Sequence, residues 1–135
     1  MFRRIGITTA FMIAASLTYS AAVLGADASG SWSGSWKSCQ SGHKGPLHAT
    51  ICQLDETRYQ ANFSGKFFLL IPFKYSVVLH VSKVEGDTIT LSGSKHMSRR
   101  LGTFYYTATV TGDSFSARYS SAKDCGYFQM TRCCR

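Results

Sequence analysis

The sequence predicts an all-β protein, an eight-stranded antiparallel up-and-down meander closed into a small barrel and preceded by a cleaved N-terminal signal helix. Three observations predict it. Apolar and polar residues alternate with a period of two over most of the chain, which in a strand sends one set to each face. Turn residues break the alternation about every ten residues. No helical stripe competes, so neighbours in sequence become neighbours in space, and closure removes the edges that an open sheet would expose.

The first strand is Gly30-Ser31-Trp32-Ser33-Gly34-Ser35-Trp36, two overlapping Gly-x-Trp units. Trp32, Gly34 and Trp36 share one face and the serines the other. Two indoles need a core, and Gly34 between them suits a bend or a close backbone approach. Ser41 to Pro46 reads as a turn, and Leu47, Ala49 and Ile51 mark strand two. After Asp55-Glu56, Tyr59, Ala61 and Phe63 mark strand three, which Gly65-Lys66 is expected to interrupt. The Phe67–Phe73 run reads as a bend, because Pro72 cannot donate to a ladder. Strand four follows over 74–84, with Tyr75, Val77, Leu79 and Val81 inward, and Glu85-Gly86-Asp87 forms a hairpin turn. Strand five covers 88–94, and the basic tract Lys95-His96-Met97-Ser98-Arg99-Arg100 is expected to be a loop. Strand six (101–111) turns Phe104, Tyr106, Ala108 and Val110 inward. Strand seven carries Phe115, Ala117 and Tyr119, and strand eight (126–132) carries Phe128 and Met130.

Residues 1–26 read as a signal peptide of the general export type. Arg3 and Arg4 precede an apolar run from Ile5 to Leu24, and small residues stand at Ala22, Ala26 and Ala28, with cleavage placed after Ala26. The competing reading is a membrane anchor, since the run approaches the ~20 residues that a span needs. Processing would leave one domain, residues 27–135, secreted or periplasmic, with no stable membrane span. Its charge would be thirteen Lys and Arg against seven acids, a balance that suits a polyanionic surface or simple solubility.

All five cysteines fall after the signal, where an oxidising compartment favours disulfides. In a closed meander strand one lies beside strand eight, which brings Cys39 near Cys125 and sends Cys52 to the other rim with Cys133 or Cys134. A Cys39–Cys52 bridge across the first hairpin is the alternative.

The residues carry little chemistry. The acids Asp55, Glu56, Glu85, Asp87, Asp113 and Asp124 sit at turns, and His43, His48, His80 and His96 are scattered. No nucleophile elbow or metal spacing is present. The expectation is no enzyme, no catalytic residue, no cofactor and no metal. The large inward side chains Trp32, Trp36, Phe63, Phe73, Tyr75, Tyr106 and Phe128 are candidate contacts for a small apolar ligand. On the outside, Lys95, His96, Arg99 and Arg100, with Lys74 and Lys123, form a candidate surface for an acidic glycan, envelope phosphate or protein partner. No specific nucleic acid is implied. An inhibitor of a hydrolase is a further role open to such a barrel.

Gly30 with Trp32, or Gly34 with Trp36, together with Arg132 ending the last strand, resembles the lipocalin and avidin group of calycin-type β-barrels. That resemblance implies a secreted barrel with an Arg lying across the Trp at its closed end. The chain is shorter than a lipocalin and lacks the Thr-Asp-Tyr loop motif. Its Ser41-Gly42-His43, Ile71-Pro72-Phe73 and Gly126-Tyr127-Phe128 pieces are similar to uncharacterised secreted bacterial proteins.

Overall fold

The computed structural model describes residues 27–67 and 71–133. They form eight strands: β1 (Gly30–Ser38), β2 (Lys44–Asp55), β3 (Arg58–Phe67), β4 (Ile71–Glu85), β5 (Thr88–Ser98), β6 (Gly102–Thr111), β7 (Ser114–Ser120) and β8 (Cys125–Arg132). Each strand is antiparallel to the next, and β1 returns to β8, so the sheet is a closed barrel in sequence order. The expected signal segment and its cleavage site at Ala26 lie outside the described residues.

Alternation decides what is inside. Trp32 is 1% exposed, and Trp36, Leu47, Phe63, Leu79 and Phe115 are likewise buried. The register of β1 explains the Gly between its indoles. Gly34 lies opposite Leu47 on β2 and Met130 on β8, and a Cβ there would stand 1.9 Å from the Gln129 carbonyl oxygen. Only a residue without a side chain lets β8 cross β1 this closely.

Four local expectations are corrected. The far end of the expected Phe67–Phe73 bend is strand: β4 begins at Ile71, and Pro72 lies opposite Lys66 on β3. Strand β2 begins at Lys44 rather than after Pro46, because Gly45 and Pro46 pair with Trp36 and Ser35. Strand β3 runs through Gly65-Lys66 without interruption: the Phe73 ring and the Pro46 carbonyl fill the space that a Gly65 side chain would occupy. Strand β5 continues to Ser98, so most of the basic tract is strand, held by pairing with β6 (Lys95 opposite Phe104, His96 opposite Thr103).

The end carrying the β2–β3, β4–β5 and β6–β7 turns is plugged. Residues 27–29 cross it with Ala28 fully buried, and the Trp32 Nε1–H donates to the Ala28 carbonyl at 2.9 Å. The Arg132 guanidinium sits 4.4 Å from the Trp32 ring centre. It donates to the carbonyls of Asp27, Ser29 and Gly112 and to the Asp113 carboxylate. Burial works against the charge on Asp27, but the Ser29 N–H and hydroxyl, with Arg132, hold its carboxyl below the ordinary range.

Candidate ligand cavity at the open end

The opposite end, where β1 and β2, β5 and β6, and β7 and β8 are joined, holds a cavity of about 310 Å³. Its walls are aromatic. Trp36 on β1, Phe73 and Tyr75 on β4, Phe104 and Tyr106 on β6, Tyr119 on β7 and Phe128 on β8 all face it. Met97 and Leu101, with Lys74, Lys123 and Asp124, complete the lining.

The rings are ordered. Phe73 stacks on Tyr75 at 5.9 Å with 21° between planes, and Tyr75 on Tyr106 at 6.2 Å and 24°. Phe63 stacks beneath Tyr75 at 5.3 Å and tilts against Phe128 at 5.5 Å, so it supports the wall from the core side. Trp36 meets Phe73 edge-on at 6.4 Å, and its indole N–H donates to the Lys66 carbonyl. Such contacts hold ring positions through quadrupole geometry as well as through area.

The polar atoms near the cavity are already partnered. The Tyr75 and Tyr106 rings stand 6.2 Å apart and their phenols act on one another. Burial, then the neighbouring Tyr106, drives the Tyr75 phenol far above its ordinary value. Burial pushes Tyr106 up to about 12. The Tyr119 phenol is raised by burial and then by Asp124, to whose Oδ2 it donates at 3.2 Å. The other Asp124 oxygen accepts from the Ser38 hydroxyl at 2.6 Å and the Cys125 N–H at 2.8 Å. Asp124 is thus a braced structural carboxylate rather than the solvated turn residue that its position in sequence suggests. The wall presents phenols that burial keeps protonated, the hydrogen-bonded Asp124 side chain, and the side chains of Lys74 and Lys123.

Of the seven ring residues singled out from the sequence, Trp36, Phe73, Tyr75, Tyr106 and Phe128 line the cavity. Phe63 lies behind it. Trp32 lies at the plugged end, 5.6 Å from Phe115. The candidate set leaves out Phe104 and Tyr119, although both take the inward phase of their strands, and Met97 and Leu101 as well. Parity along β5 was the available signal for Met97, which shares its phase with Leu91, Gly93 and Lys95.

The basic candidates do not form one face. Lys95 takes the inward phase of β5, His96 faces outward with its Nδ1 3.2 Å from the Thr103 hydroxyl, and Arg99 and Arg100 occupy the turn. Lys123 folds across the mouth to donate to the Arg100 carbonyl. A larger pattern appears when charges are sorted by end. Among the described residues the ion pairs Arg58–Asp55, Lys83–Glu85 and Arg132–Asp113 all stand at the plugged end. The open end carries Lys37, Lys44, Lys66, Lys74, Lys95, Arg99, Arg100 and Lys123, with Asp124 its one acid.

Cys39 and Cys125 form a disulfide at the open rim, with a Cα separation of 5.4 Å. The second expected bridge is corrected: Cys52 and Cys133 are both free. Cys133 donates its N–H to Ser31, and Ser31 pairs with Thr50, two residues from Cys52. A whole strand therefore separates the two thiols, roughly 10 Å at ordinary strand spacing, beyond the reach of a bridge. Cys134 lies outside the described residues. Among the described residues no His, Cys, Asp and Glu side chains gather into a group able to hold a metal ion, and no helix is long and apolar enough to cross a membrane. Comparison of the chain with protein-family models, curated proteins and solved structures finds no match.

Proposed function

We propose that this protein is an exported binding module whose open-end cavity takes a small, largely apolar ligand and acts by binding rather than by chemistry. The observation that carries the reading is the aromatic cavity itself. Its volume of about 310 Å³ is at the lower end of ligand sites, which span roughly 300–1,000 Å³, and suits a flat molecule of one or two rings. The near-parallel faces of Phe73, Tyr75 and Tyr106 favour stacking. The Cys39–Cys125 bridge supports an oxidising compartment, and the Arg132–Trp32 stack supports kinship in architecture with lipocalins.

The two indoles make the test clean, because Trp36 lines the cavity and Trp32 does not. In a Trp32→Phe variant, emission reports on Trp36 alone. Titration with quinones, retinoids and fatty acids should give a saturable change at one equivalent for at least one class. No response across the panel, with no small molecule in mass spectra of the purified protein, would remove the proposal.

A second reading is favoured by the segregation of charge between the two ends: the basic rim binds a polyanion such as an acidic glycan or envelope phosphate. Retention on heparin should then fall steeply with salt and with Arg99→Gln/Arg100→Gln.

A further inference from the structure

The ladder between β4 and β5 is incomplete. It runs from Glu85 opposite Thr88 to His80 opposite Ser92, and there it stops. Beyond that point β4 stays paired with β3 all the way to Ile71, and β5 stays paired with β6 to Ser98. The strands are still close at Gly93, where a Cβ would meet the Val78 carbonyl at 2.5 Å, and then no hydrogen-bonded register joins them. Had pairing continued, Val78 would face Ser94 and Ser76 would face His96. Among the described residues the barrel thus carries a lateral slot flanked by two strand edges that no β4–β5 ladder joins past His80 and Ser92.

A depression on the outer wall lies over the place where the strands part, lined by Val78, His80, Ser94 and Tyr105. Its floor includes Tyr106, which also lines the inner cavity, because Gly93, its register partner, has no side chain to cover it. Tyr105 is 60% exposed and Val78 is exposed beside it.

The charges around the slot select the occupant. Between Glu56 and Glu85, and again between Asp87 and Asp113, the chain has no acidic residue. Lys74 lies on β4 beside the slot, and Arg99 and Arg100 stand in the turn where β5 ends. A second copy of this chain would bring like charges together across the junction, which opposes self-pairing. We infer that the slot accepts an extended acidic segment of a partner protein, which adds as a strand along the β4 or β5 edge. Alternate small apolar side chains of that segment would settle over Val78 and Tyr105, with carboxylates meeting Lys74, Arg99 and Arg100. The site shares Tyr106 and Lys74 with the lining of the inner cavity, but the inference does not require that cavity to hold a ligand.

The test uses the full chain and a labelled short peptide alternating glutamate and valine, followed by fluorescence anisotropy and amide hydrogen exchange. Saturable binding is expected, weakening between about 0.05 and 0.5 M salt, with new amide protection confined to 71–79 and 93–98. A copy of the peptide N-methylated at alternate residues should bind at least about tenfold more weakly, since it lacks the edge-facing donors. Lys74→Glu/Arg99→Glu, with its fold checked by near-ultraviolet circular dichroism, should lose a similar factor. Equal binding of the methylated peptide would show attraction by charge alone and overturn the inference. So would protection elsewhere, no binding at all, or a concentration-dependent dimer that protects the same edges.

Discussion

Replacing Arg132 by Met should cost this barrel about 3–5 kcal/mol, and the structure shows where the loss arises. The side chain is 12% exposed while its ion-pair partner Asp113 is 76% exposed, so the ion pair itself contributes no more than about 1 kcal/mol. The stack on Trp32 at 4.4 Å adds roughly 0.5–2 kcal/mol. The largest share comes from the carbonyls of Asp27, Ser29 and Gly112, which one guanidinium holds together. Hydrogen bonds to a charged donor contribute about 1.5–3 kcal/mol each, less where water can replace the donor at a barrel end. Against a typical stability of about 5–15 kcal/mol, the variant would be marginal. Urea unfolding monitored by tryptophan fluorescence reads the loss directly. Arg132→Lys should recover little, because a point charge cannot span three carbonyls as a planar fork does. Asp113→Asn should cost under about 1 kcal/mol. If Arg132→Met fell within 1 kcal/mol of the parent, or Arg132→Lys matched it, Arg132 would not be what holds residues 27–29 across the end.

Three further outcomes are expected. Gly34→Ala would press a methyl group against the Gln129 carbonyl and should destabilise at the upper end of the roughly 1–3 kcal/mol seen for overpacking, since backbone must move; a thermal midpoint within a degree of the parent would show that β8 yields freely. Cys39→Ser/Cys125→Ser opens a bridge between residues 86 apart and should lose about 4–5 kcal/mol on the chain-entropy account, read by chemical unfolding in parallel with the reduced parent. Above pH 10 stability should decline. Burial keeps Tyr106 protonated up to about 12 when folded, against an ordinary value of 10.0, so the unfolded chain releases its proton first. The stabilisation is fully present below pH 10 and is lost between about 10 and 12, amounting to ~2–3 kcal/mol for this one residue. Tyr106→Phe should flatten that decline, and an unchanged slope in the variant would count against a buried neutral phenol.

Much of the architecture was legible because a strand's side chains alternate by geometry. The parity of Trp32, Gly34 and Trp36 or of Phe104, Tyr106 and Ala108 names the inward set without knowledge of partners. The division of charge was also latent in the order of the turns. In a meander the even and odd turns fall at opposite ends, so Asp55, Glu85 and Asp113 at the second, fourth and sixth turns had to part from Lys95, Arg99 and Lys123 at the fifth and seventh. Composition misled where pairing outweighs it. The polar Lys95–Ser98 stretch looks like a loop, yet β6 continues beside it and supplies the ladder. Gly65 looks like a break, yet the Phe73 ring fills its place.

Local alternation and the spacing of turns determined an antiparallel β-meander, because these depend on neighbours along the chain. The Arg132–Trp32 stack at one end was implied only by the lipocalin-like resemblance and rests on the pairing of the first strand with the last. Only the tertiary structure decided that Phe63 supports a cavity while Trp32 stands at the far end from it, and that Cys52 and Cys133 remain apart. It alone decided that β4 and β5 separate past His80. Those outcomes depend on how far each strand bends around the axis, a sum of many small twists that no single residue records.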